Sequence, residues 1–137
     1  VDARYEVGGA VDVVVPADHG RRLGPAPRQF LARRADLGVD IHTAAIHRDN
    51  FPQIRADMSL ESLAPLAKAF AAPVLIHSAP PDGSLRHSAS AEHVPIMVYE
   101  AGEALRFDEL SIRVGLRGVV NVMREMGMLS LKRKPPR

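Results

Sequence analysis

The chain has 137 residues, 46% of them hydrophobic and 25% charged, the balance of one globular domain or a piece of one. It has no cysteine, which excludes disulfides, thiolate metal sites and a cysteine nucleophile, so any metal has only His, Asp or Glu to hold it. Eighteen basic against 16 acidic residues leave a net +2, too balanced to point to nucleic acid, and 4% aromatics offer no platform for stacking bases.

No run approaches about 18 consecutive apolar residues, so neither a transmembrane helix nor a membrane partner is expected. No charged-then-apolar signal pattern opens the chain, and a cytoplasmic setting is the expectation. The first residue is Val1 rather than Met, which suggests a non-standard start translated literally or a missing N-terminus.

Residues 11–15 (VDVVV) are β-branched and predict a short strand. Residues 18–28 (DHGRRLGPAPR) predict a loop, and residues 29–34 one or two helical turns. Arginines of this stretch could touch nucleic acid, but a solvated basic segment is the simpler reading. In residues 37–42 (LGVDIH), Leu37, Val39 and Ile41 alternate with Gly38, Asp40 and His42, predicting a buried strand. A loop is expected over 43–57.

Residues 59–71 (SLESLAPLAKAFA) predict a helix, because Leu60, Leu63, Ala64, Ala67 and Phe70 share one face; Pro65 predicts a kink or a separate first turn. Residues 73–78 (PVLIHS) predict a strand covered on both faces. A turn and a short helix over 84–93 follow, then a buried strand over 95–100 (PIMVYE). The clearest helix runs over 107–126, with Asp108 as N-cap and Ile112, Leu116, Val119, Val120 and Met123 as the apolar stripe. The tail, residues 130–137, is basic and Pro-rich and reads as a linker.

This alternation predicts an α/β fold: a mostly parallel sheet flanked by helices, with ligands at the carboxyl ends of strands. Two strands end in reactive groups, His42 and Glu100. An imidazole at a strand end is well placed to ligate zinc, although one His is not a metal site and a buried, hydrogen-bonded structural His is the alternative. Asp40, two residues back on the same pleat face, could orient that imidazole only if the strand bends. Glu100 ends a buried apolar run, where a carboxylate is costly unless paired, protonated or functional. It reads either as a general base or as a surface Glu at a loop mouth. His77 ends another predicted strand and could join His42 and Glu100 if the strands were neighbours.

The runs VDIHTAAIHRDNFPQIRADMS, AFAAPVLIHS, DGSLR, PIMVYEAGEALRFDE and RGVVNVMREMGML resemble the succinylglutamate desuccinylase/aspartoacylase family over residues 35–129, DIHT and YEAGE being the most specific parts. The resemblance implies a half-domain of zinc-carboxypeptidase-like (phosphorylase/hydrolase-like) fold. It also implies zinc-dependent hydrolysis of the amide in a small N-acyl amino acid or similar amine. It makes His42 a zinc ligand and Glu100 the group that takes a proton from the zinc-bound water. Arg86, in GSLR, and Arg55, in PQIR, become candidate contacts for a substrate carboxylate.

The family's early His-x-x-Glu is missing, since none of the six His has Glu three residues on, and its Asn-Arg motif is missing too. Residues 1–34 carry no part of the resemblance. The alternative is therefore a truncated or frame-altered remnant without a working metal site. A sheet cut from a larger domain is also expected to fold poorly or to self-associate through an exposed edge.

Overall fold

The computed structural model describes residues 35–130 and the backbone of residues 11–16. The loop, helical turns and basic arginines expected over 18–34, and the tail from 131 onward, lie outside the described residues. Five strands form one sheet in the order β1-β2-β5-β3-β4: β1 Val11–Pro16, β2 Ala35–Ala44, β3 Asn50–Ala56, β4 Val74–His77 and β5 Ile96–Glu103. Among the described residues three helices join them: α1 Ala64–Phe70, α2 Leu85–Ala91 and α3 Glu109–Glu125.

β2 runs parallel to β5, and β3 parallel to β4, while β3 is antiparallel to β5. Two of the three pairings among β2–β5 are thus parallel, and the architecture is the expected α/β one. β1 adds an antiparallel edge beside β2.

Alternation along the strands sends apolar side chains to one face. Leu37 and Val39 of β2, Ile54 and Ala56 of β3 and Met97 and Tyr99 of β5 pack there against Leu63, Ala67 and Phe70, and against Val114 and Val122 of α3. The opposite face carries α2, whose Ala89 packs with Ala35, Val94 and Ile96. The layers are therefore α1 and α3, the sheet, and α2.

Four elements depart from the sequence reading. First, the expected loop over 43–57 contains β3, disguised by polar Gln53 and Arg55 alternating with buried Pro52, Ile54 and Ala56. Pro52 has no N–H for the ladder, and the pairing with β5 shifts register between Asn50 and Gln53. Second, β4 is an edge strand with exposed Val74 and Leu75, not a strand covered on both faces.

Third, α1 begins at Ala64 rather than at 59, with Pro65 in its first turn, where the missing N–H costs nothing, and residues 60–63 form the separate first turn that Pro65 predicts. Fourth, α3 turns a different face to the core. Val114, Gly115, Gly118 and Val122 point inward, and the expected stripe lies outward or half-buried, with Ile112 54% and Leu116 68% exposed. Small residues win because the helix lies very close to the sheet. A Cβ on Gly118 would stand 2.1 Å from Phe70 Cε1, and one on Gly115 would stand 2.8 Å from Tyr99 Cε1. Asp108 caps α3 as expected, its carboxylate accepting from the Ser111 N–H at 2.7 Å.

Tyr99 links sheet to helix. Its ring lies 5.1 Å from that of Phe70, and its hydroxyl donates to Ser111 O at 2.7 Å. Burial, reinforced by the Asp108 carboxylate and opposed by the Gly115 backbone, pushes this phenol from 10.0 up to about 12. A raised folded-state value means that the stability it contributes is intact below pH 10 and is lost as pH rises through 12. An ultraviolet titration of tyrosinate is expected to show a late step near pH 12 that disappears in Tyr99→Phe.

Candidate active site

The face opposite the main core carries the polar residues of three adjacent strands. β2 and β5 are in register with His42 opposite Glu100, and β3 places Gln53 opposite Glu100 from the other side. Glu100, the carboxylate of a nearly buried strand, is therefore flanked by polar neighbours on both sides.

Its Oε2 accepts three hydrogen bonds: from Asn50 Nδ2 at 3.2 Å, Gln53 Nε2 at 3.0 Å and Arg55 Nε at 3.1 Å. Arg55 is also its ion-pair partner. Three donors on one oxygen fix the carboxylate and offset the cost of its half-burial. Asn50 and Gln53 were not singled out from the sequence; the alternation through PQIRA was the signal that could have found them.

On β2, Asp40 Oδ2 lies 2.7 Å from His42 Nε2. The two residues share one pleat face, and pairing with β5 is regular from Gly38 through His42, the register shift coming only after it. The contact therefore forms along a regular stretch of strand, without the bend that the sequence reading required.

The remaining candidates separate. Arg55 touches Glu100, whereas Arg86, only 6% exposed, is anchored on the segment after β4. Its Nη1 donates to Ser78 O at 3.0 Å, and its Nη2 to Ser78 Oγ at 3.1 Å and Ala79 O at 3.5 Å. Burial, with the Arg55 cation adding to it, lowers its pKa, while Asp40, Glu100 and Asp57 act against that shift. These groups therefore share one electrostatic field. Arg86 also lines a cleft of about 190 Å3 with Asp57, Ser90 and His93.

His77 does not join His42. β4 pairs with β3 alone and runs opposite to β2, so His77 lies at the other end of the sheet, its Nδ1 accepting from Met58 N at 3.0 Å.

A catalytic zinc takes three protein ligands and a water. Among the described residues, no group of three His, Asp or Glu stands close enough to hold a metal ion. His42, braced by a carboxylate on one nitrogen, suits a single ligand position. The described residues thus fit one corner of a zinc centre and not a whole one. Among them, no helix is long and apolar enough to cross a membrane.

The profile of the "Succinylglutamate desuccinylase/Aspartoacylase catalytic domain" matches residues 21–126. No curated protein matches the chain closely enough to count as a relative. Among solved structures, a succinylglutamate desuccinylase/aspartoacylase from Rhodobacter sphaeroides is 27% identical at a TM-score of 0.63, covering 73% of this chain and 31% of that one. The product-bound ectoine utilization protein EutE (DoeB) from Ruegeria pomeroyi shares the fold at 21% identity and a TM-score of 0.64, covering 80% of this chain and 36% of its own. Its apo form gives 23% and 0.64. The chain spans about a third of the length of these solved relatives.

Proposed function

Because the chain belongs to the succinylglutamate desuccinylase/aspartoacylase catalytic-domain family, we propose that it carries the proton-transfer half of a deacylase site. The reaction is hydrolysis of the amide between an acyl group and an amino acid or similar amine. The observation that carries this reading is the registered pairing of His42 and Glu100 on neighbouring parallel strands, with Arg55 held against the carboxylate.

Glu100 is the general base. Its Oε2 is tied by three donors, and its Oε1 accepts no hydrogen bond among the described residues. Oε1 takes the proton from the water that attacks the amide carbonyl. The same carboxyl then delivers that proton to the leaving amine nitrogen. Arg55, whose terminal nitrogens make no hydrogen bond among the described residues, receives the anionic group of the substrate. Arg86 contributes its charge to that field from below, since both its terminal nitrogens are taken up by Ser78 and Ala79. Zinc, when bound, supplies a Lewis acid and a more acidic water. Among the described residues His42 would be its one donor, and further donors would come from outside them. A cysteine-free chain suits a cytoplasmic setting.

A second reading is a non-catalytic remnant of such an enzyme, favoured by the sequence itself, in which none of the six His has Glu three residues on. Metal content of the purified chain, measured together with hydrolysis of N-acyl amino acids, separates the two. Stoichiometric zinc with activity that depends on Glu100 supports the deacylase. A metal-free, inactive chain supports the remnant.

Self-association through the sheet edge belongs to the same proposal. β4 reads VLIH, with exposed Val74 and Leu75 and neither Lys nor Pro to protect its edge. Size-exclusion chromatography is expected to give a concentration-dependent oligomer that Leu75→Lys shifts toward the monomer.

A further inference from the structure

We propose that Asp40 is a positioning residue, which holds the His42 ring in a single orientation and tautomer beside Glu100. The inference rests on the deacylase reading for its purpose but on geometry for its content. Asp40 is 7% exposed, on a strand in the middle of the sheet. A carboxylate so buried is costly unless a donor faces it. The donor is His42 Nε2, 2.7 Å from Oδ2. The other oxygen, Oδ1, is buried with no hydrogen-bond partner.

Asp40 therefore accepts its one short hydrogen bond from the imidazole. Because the carboxylate is acceptor-only when ionised, Nε2 carries the proton and Nδ1 is the lone-pair atom of the neutral ring. The unbroken β2–β5 register from Gly38 to His42 keeps the ring opposite Glu100 while Asp40 holds it from the same pleat face. One acid thus settles which ring nitrogen faces the chemistry, without touching the substrate itself.

Nuclear magnetic resonance of the His-labelled chain tests this, with His42 identified through His42→Gln. The wild type is expected to show His42 as one tautomer, protonated at Nε2, with a downfield, slowly exchanging Nε2 proton. Asp40→Ala is expected to lose that proton signal. Asp40→Asn, which keeps an acceptor oxygen, is expected to retain the tautomer with the proton moved upfield. A wild-type His42 protonated at Nδ1 overturns the proposal without any variant, as does a downfield signal that survives in Asp40→Ala. Should Asp40→Ala fail to fold, the wild-type tautomer and Asp40→Asn still decide the matter. The readout does not use turnover: an inactive chain with the expected spectrum overturns only the deacylase reading, and an active chain with the wrong tautomer overturns only this one.

Discussion

Replacing Glu100 by Gln is expected to lower hydrolysis of N-acyl amino acids by about 10²- to 10⁴-fold, the usual contribution of a positioned general base. The substitution separates chemistry from architecture. Gln keeps a carbonyl oxygen where Oε2 now receives Asn50, Gln53 and Arg55, so the polar cluster keeps its acceptor. What disappears is the negative charge, and with it the ability to take a proton and the half-exposed ion pair with Arg55, which is worth little to stability. Glu100→Ala would remove both and leave three half-buried donors unsatisfied, each costing about 1–3 kcal/mol. The informative comparison is therefore Gln against wild type, with turnover and thermal midpoint measured on the same samples. A full loss of turnover with an unchanged midpoint assigns the proton transfer to Glu100. Unchanged turnover would remove Glu100 from the mechanism.

The largest stability effect is expected at the contact between α3 and Phe70. Phe70 is 1% exposed and lies against Tyr99 and Gly118. Phe70→Ala is expected to cost about 3–5 kcal/mol, because the close-packed helix and sheet collapse only partly into the space left. Native domains hold about 5–15 kcal/mol in total, so this change alone brings the fold near its limit.

Gly118→Ala opposes two effects. Alanine gains about 1 kcal/mol in a helix interior, yet its Cβ would meet three ring atoms at 2.1, 2.3 and 2.4 Å. Overpacking of that kind costs about 1–3 kcal/mol, occasionally more, and is expected to win. In the Phe70→Ala background the ring is gone, and Gly118→Ala is expected to become stabilising by up to about 1 kcal/mol. A double-mutant cycle by urea denaturation checks the reversal of sign. Additive effects would mean that the close approach is not what Gly118 permits.

The legible part of the chain was that in which one pattern has one cause. β2, β5 and the helix after Asp108 follow from alternation, capping and apolar runs, although β2 runs on to Ala44 and β5 to Glu103, so that neither His42 nor Glu100 ends its strand. β3 was hidden because its outward residues, Gln53 and Arg55, are polar groups that bind Glu100, so the strand reads as a loop. The face of α3 was misread because the core there prefers the absence of a side chain, and hydrophobicity does not report glycine as buried. Whether β4 stood at the centre or the edge depended on pairing order, which no local pattern encodes. The link from Asp40 to His42 depends on the side-chain rotamers of two residues on one pleat face, which the alternation of a strand does not encode.

The order of the sheet also bears on how the chain comes together. Among the described strands β5 comes last in sequence, yet it sits between β2 and β3 and supplies the carboxylate that faces both flanks. The ion pair from Arg55 to Glu100 closes a separation of 45 residues. A ribosome-bound chain that has exposed β2, β3 and β4 still has an open slot at its middle, with two inner strand edges unpaired. Such long-range closure is slow and leaves edges available for wrong partners while it waits. The meeting of His42 with Glu100 and the joining of β2 to β3 are therefore a single event that waits for β5, and chaperone dependence during synthesis should persist at least until β5 has emerged.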